Sequence, residues 1–209
     1  MGLPLLSGPQ DPSQINATIN SLISGINAAA LESLTCRFSA PIAAELVSIK
    51  AAATPANGAI TIAAQPDFPR KLQIRIVIGT TTTTAITAGT LTLVGTNLAG
   101  QTVTEAISLV ANASTTLQTA NVYAHLTSGT VAAYAAAGSG TGNTLGIGVS
   151  AQLGLPLPAG FTNLVVNKED VDNADEAVGT VDPVAGSISP TTAPNATHNF
   201  DFWYTFSGL

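Results

Sequence analysis

Five carboxylates crowd into eight positions of this chain: Glu169, Asp170, Asp172, Asp175 and Glu176. Hard oxygen ligands at alternating positions suit Ca²⁺, and Asp170, Asp172, Asp175 and Glu176 form the candidate ligand set. An EF-hand would need a third ligand where Ala174 stands, and its required glycine is missing. The preferred reading of residues 168–182 is therefore a solvated acidic loop at the outer tip of a domain, without a metal. The two histidines, His125 and His198, could each serve as a base or a ligand. Neither has a His, Cys or carboxylate companion at ligand spacing, so both read as structural. The run GSGTGN at 138–143 has glycines that could cradle a phosphate. It lacks a following lysine and a helical pattern behind it, so it reads as a β-turn. There is no G-x-S-x-G elbow and no grouping of Ser, His and Asp. These residues predict neither an enzyme nor a cofactor.

The elements that would position such residues are β in texture. From about Thr35 onward, short alternating segments are separated by Gly, Pro, Asn and Thr, the pattern of a sandwich or barrel. Leu72, Ile74, Ile76 and Ile78 share one strand face, with Gln73 and Arg75 on the other. Leu91 and Leu93 lead into a turn at 97–100 and a new strand near Gln101, which is a hairpin. Val122, Ala124 and Leu126 mark another strand. Leu145, Ile147 and Val149 alternate with Gly146 and Gly148, and those side-chain-free positions admit close approach of another backbone. Half of the chain's aromatics fall at the C-terminal end. There Phe200, Phe202, Tyr204 and Phe206 lie on one face, and Asp201, Trp203 and Thr205 on the other. Trp203, on the polar side, is the candidate for an intersubunit contact. One charge breaks the pattern. Glu105 shares parity with Val103, Ile107 and Leu109, and a buried carboxylate needs a partner or a proton. By pattern the nearest cations are Arg70 and Arg75; otherwise a bulge turns Glu105 outward.

Residues 1–10 read as an extended arm whose Leu3, Leu5 and Leu6 would dock on something. A helix follows, with Asp11 as N-cap and Pro12 in the first helical position. Its stripe of Ile15, Ile19, Leu22 and Ile26 is heptad-like. That stripe packs on its own domain, forms a seam between identical subunits, or anchors the chain on a neighbour. The expected organisation is an arm and helix over 1–34 and a β-sandwich, jelly-roll-like, over 35–209.

Charged residues make up only 9% of the 209 positions while the hydrophobic fraction is an ordinary 45%. So neutral a surface suits a protein partly covered by other subunits. The net charge is -6, and six scattered Lys and Arg cannot form the clustered basic face that nucleic acid requires. No apolar run reaches the length of a membrane span, and a basic secretory start is absent. The single cysteine, Cys36, excludes an internal disulfide and reads as a small buried hydrophobe.

Four phrases stand in order along the chain: AAQPDFPRKLQI (63–74), GTLTLVGTNLAGQTVTEAISL (89–109), LGIGVSAQLGLP (145–156) and GTVDPVAGSISPTTAPNATHNFDFWY (179–204). In that order and spacing the chain resembles a family of tailed-bacteriophage virion proteins over about residues 60–206. The resemblance lies in strands and turns. It implies a structural virion protein, and within that class a head decoration or cement protein. Such a protein binds the major capsid protein on the outer head surface, often as a homotrimer, after synthesis in the host cytoplasm. The Pro-Arg and Thr-Glu steps recur in the family, which implies a structural ion pair between Arg70 and Glu105. Alternative positions are a head fibre base, the neck or the tail. A glycan-binding module of the particle is a further alternative, to which Trp203 and the acidic segment would contribute. Nucleic acid and membrane are not expected partners.

Overall fold

A computed structural model describes residues 34–79, 88–111, 113–134, 142–157 and 163–207. The expected arm and helix, with Leu3, Leu5, Leu6, Ile15, Ile19, Leu22 and Ile26, lie outside the described residues.

All regular structure among the described residues is strand. The strands are β1 (Leu34–Phe38), β2 (Glu45–Ala53), β3 (Gly58–Ala59), β4 (Arg70–Val77), β5 (Gly89–Thr96), β6 (Thr102–Leu109) and β7 (Thr115–Gln118). They continue with β8 (His125–Ala132), β9 (Thr144–Gly154), β10 (Asn163–Val171), β11 (Ala174–Glu176), β12 (Thr180–Asp182), β13 (Ser187–Ser189) and β14 (Phe200–Ser207). They form three sheets. The first has the order β1-β14-β10-β11 and the second β12-β13-β9-β4-β7, with β2 also on β9. The third has the order β3-β8-β5-β6. The expected mainly-β sandwich is what forms.

Period-two alternation decides which face each strand buries. On β4, Leu72, Ile74 and Ile76 are at most 1% exposed, while Gln73 and Arg75 remain half-buried. They meet Leu91 and Leu93 of β5 and Ile107 and Leu109 of β6, so the second and third sheets share one core. Each fully buried aliphatic side chain contributes roughly 1.5–3 kcal/mol. A second core gathers Phe200, Phe202 and Tyr204 of β14 with Phe38, Leu164 and Ile188. Phe38 meets Phe68 and Phe202 edge-on, at 5.4 Å and 5.9 Å between centroids, while Phe200 and Phe202 stack at 6.3 Å.

Strand β9 serves both cores. Leu145, Ile147 and Val149 enter the first, and Leu153 enters the second. Between them the pairing with β4 slips, because Leu72 faces Val149 but Arg70 faces Leu153. The extra residues on β9 form a bulge around Ser150. Farther along β9, β2 crosses so closely that a Cβ at Gly148 would collide with the Glu45 carbonyl. That is the close backbone approach expected of the glycine-alternating strand.

Arg70 sits beside the bulge and is fully buried. Its Nη1 donates to the Ser150 carbonyl at 3.1 Å, and its Nη2 to the Ile42 carbonyl at 2.8 Å and to Asp67 Oδ2 at 3.0 Å. Asp67 Oδ1 lies 3.0 Å from Arg70 Nε, although off the N–H direction. Burial pulls the guanidinium pKa down and Asp67 partly restores it. The expected Arg70–Glu105 ion pair is therefore corrected. Glu105 does lie in the inward row of β6 and is half-buried. Its Oε1 accepts from the Ala120 amide at 2.7 Å, and its Oε2 from the Asn121 amide at 3.1 Å and Asn121 Nδ2 at 2.9 Å. The turn after β7 supplies backbone donors where the sequence pattern called for a cation.

Two further expectations change. Ala124 and Val122 precede the strand they were expected to mark, since β8 begins at His125. The segment 168–182 is not a loop: β10 and β11 form a hairpin across it, followed by β12.

Candidate interaction surface on the β14 sheet

Strand β14 buries one face in the second core, so its other face carries Asp201, Trp203 and Thr205 outward, each half-buried. In register beside Trp203 stand Thr35 of β1 and Lys168 of β10. Lys168 is there because of a bulge. Leu164 and Val166 face the core, and an uninterrupted strand would send Lys168 and Asp170 the same way. The pairing slips between Val166 and Lys168, which leaves Asn167 unpaired and reverses the faces. Lys168 now lies on the outer face and Glu169 faces inward, fully buried.

The outer face is held by charge. Lys168 Nζ lies 4.6 Å from the Trp203 ring centroid, a cation–π contact. The same ammonium pairs with Asp175 Oδ1 at 2.7 Å and Asp170 Oδ2 at 3.0 Å. Hydrogen bonding to Asp175 and Asp170 holds the Lys168 ammonium above its ordinary range, and Lys168 holds the Asp175 carboxyl below its own. Arg37 Nε and Asp201 Oδ1 extend the pattern at 3.8 Å. Val165, 54% exposed, adds an apolar element beside Thr205. A large aromatic thus sits on an inner strand of its sheet with the Lys168 ammonium held over its ring.

The four candidate Ca²⁺ ligands are not brought together as a ligand set. Asp170 and Asp175 share Lys168. Asp172 Oδ1 accepts from the Asn199 amide at 2.8 Å, and Asp172 Oδ2 lies 2.6 Å from His198 Nδ1. The Asn199 amide and then His198 hold the Asp172 carboxyl below its ordinary range. Glu176 is exposed and pairs in register opposite Glu169. Among the described residues, no group of three or more His, Cys, Asp or Glu side chains could hold a metal ion. The hairpin turn explains the dispersal. Asp172 and Asn173 both have positive φ, 53° and 66°, the geometry of a two-residue type I′ turn. Asp170 and Asp175 then share the outer face with Lys168, Glu176 takes the face of Glu169, and Asp172 is left in the turn.

Several partnerships escape a reading by spacing. His198 has its carboxylate companion, Asp172, only because β10 and β14 pair with Val171 opposite Phe200. Glu169 accepts from the Gly179 amide at 2.8 Å and the Thr191 amide at 3.0 Å, which pins two connecting segments to the second core. Only the bulge at Asn167 turns it inward, and alternation gives the opposite face. Lys71, nearly buried, reaches Asp182 Oδ2 at 2.6 Å across a long sequence gap. Cys36 is half-buried beside the second core, and burial followed by the Asp201 charge pushes its thiol up to about 11.

Comparison with known proteins returns no family model, no curated protein and no solved structure that matches this chain.

Proposed function

We propose that this chain is a structural component of a tailed-bacteriophage particle, a capsid decoration protein that binds the outer head lattice and stabilises it. The observation that carries this reading is the Trp203 platform. A preorganised aromatic ringed by satisfied charges has the make-up of an interface anchor, since large aromatics dominate binding energy where a polar rim surrounds them. The low overall charge fits a surface that neighbours cover. The partners are the major capsid protein and further copies of this chain, in a trimer. The mechanism is binding without catalysis. A ligand that binds only the assembled state stabilises that state, and many copies multiply a modest contact. Lys168 already occupies a face of the indole that a sugar ring would stack on, which favours a protein partner over a glycan.

Quantitative mass spectrometry of purified particles tests the reading. Decoration of the lattice requires copy numbers comparable to those of the main shell protein. A few copies per particle would move the chain to a neck, fibre or tail position, and none would remove it from the virion.

A further inference from the structure

A groove of about 300 Å³ opens beside the first core, bounded by the end of β2, the segment 54–63, β8 and β9. Its apolar walls include Pro55, Ile60, Val131 and Leu145. The space exists because five lining positions are alanine: Ala51, Ala53, Ala56, Ala59 and Ala63. One lining residue is charged, Lys50. Its position follows from the irregular pairing of β2 with β9, where the register shifts on both sides of Lys50. Lys50 Nζ donates to the Leu145 carbonyl at 2.7 Å and the Ala51 carbonyl at 3.1 Å. An ammonium has three donors, so these carbonyls leave one. None of the carboxylates among the described residues forms an ion pair with it. Burial also pulls this ammonium below its ordinary pKa, as expected of a cation with apolar surroundings and no counter-charge among the described residues.

We propose that this groove binds a small organic monocarboxylate, with its carboxylate on Lys50 Nζ and its apolar body against Ile60, Val131 and Leu145. A cavity of this size with mostly apolar walls and one placed polar group is the usual form of a small-ligand site. An anion supplies the charge and the acceptor that the ammonium lacks. A single ammonium, with the Thr54 and Thr61 hydroxyls as the other side-chain donors of the lining, suits a carboxylate better than a phosphate, which calls for several charged donors. The inference is independent of any position on a particle.

Titration of the full chain with octanoate, followed by ¹H–¹⁵N NMR, tests it, with octanol as the uncharged control. Octanoate should shift the amides of residues 50, 51, 60, 131 and 145 saturably, and octanol should bind at least about tenfold more weakly. Lys50→Met should weaken octanoate by at least about tenfold and leave octanol unchanged. Ala59→Leu fills the groove from an exposed position without touching the ammonium, and it should remove both responses. The proposal is overturned if octanoate gives no saturable shift, if octanol binds equally well, or if binding survives both substitutions. Should Lys50→Met fail to fold, the octanol comparison and Ala59→Leu decide the matter.

Discussion

Arg70, fully buried, pairs with the partly exposed Asp67, with Nη2 and Oδ2 3.0 Å apart. The same Asp67 oxygen accepts the Ile42 amide at 2.8 Å, while Arg70 Nη2 donates to the Ile42 carbonyl. Together the two side chains satisfy both backbone groups of Ile42. Replacing Arg70 by Met leaves the Ser150 and Ile42 carbonyls without their donor, which should cost about 1–3 kcal/mol for each in urea unfolding. A double-mutant cycle with Asp67→Asn should show a coupling of about 1 kcal/mol or more, whereas a cycle with Glu105→Gln should be additive to within about 0.5 kcal/mol. Coupling between Arg70 and Glu105 would contradict the observed geometry.

Glu169 makes stability depend on pH. Burial pushes its carboxyl above the ordinary range, the Gly179 and Thr191 amides pull it partly back, and Glu176 adds to the rise. A folded pKa above the unfolded one gives a contribution that is complete below the unfolded value and lost as pH rises through the folded value. Asp182 runs the other way. Burial raises it, but Lys71 and the Ala185 and Val184 amides outweigh that and hold it low. Its contribution is present above the unfolded value and lost as pH falls through the folded one. Relative to Glu169→Gln, the wild-type chain should therefore gain stability as pH is lowered from neutrality toward the ordinary carboxylate range. Parallel stability curves for the two proteins would count against the buried carboxyl.

The β10–β11 turn can be probed through Asn173, whose φ is 66°. Glycine adopts this conformation freely, so Asn173→Gly should change the unfolding free energy by less than about 0.5 kcal/mol. A β-branched side chain does not, and Asn173→Val should cost about 1–2 kcal/mol. Equal stability of the two variants would mean that the turn is not type I′.

Trp203 carries the binding prediction. Trp203→Ala should leave the circular dichroism spectrum unchanged and weaken co-sedimentation with particles by at least about thirtyfold, the scale of an interface hot spot. Val184 is 90% exposed at the β12–β13 turn and serves as the control, since Val184→Ala should bind normally. Unaltered binding by Trp203→Ala would move the interface off this face.

The strands were legible wherever alternation ran unbroken. The rows Leu72–Ile74–Ile76 and Phe200–Phe202–Tyr204 bury as their parity predicts, and the glycines at 146 and 148 announced the crossing of β2. The interaction face was half legible. Trp203 was visible from parity, but Lys168 was not assigned to it, because one bulged residue, Asn167, reverses every side chain after it. Bulges leave little trace in hydrophobic pattern. The Arg70–Glu105 pairing failed for another reason. Parity tells which face a residue takes and not what lies opposite, and the true partners were an aspartate three residues upstream and two backbone amides. The acidic segment concealed a plainer signal, the Asp172–Asn173 pair, whose residue types favour a tight hairpin turn.

Because β9 contributes side chains to both cores, neither core can melt alone without severing that strand in its middle. The break would have to occur where Arg70 grips the Ser150 carbonyl from inside the protein. A pull on β14 is therefore passed to β9 through Leu153 in the second core, and from β9 to β4 through their pairing. Among the described residues, neither core is a soft half that could give way without the other.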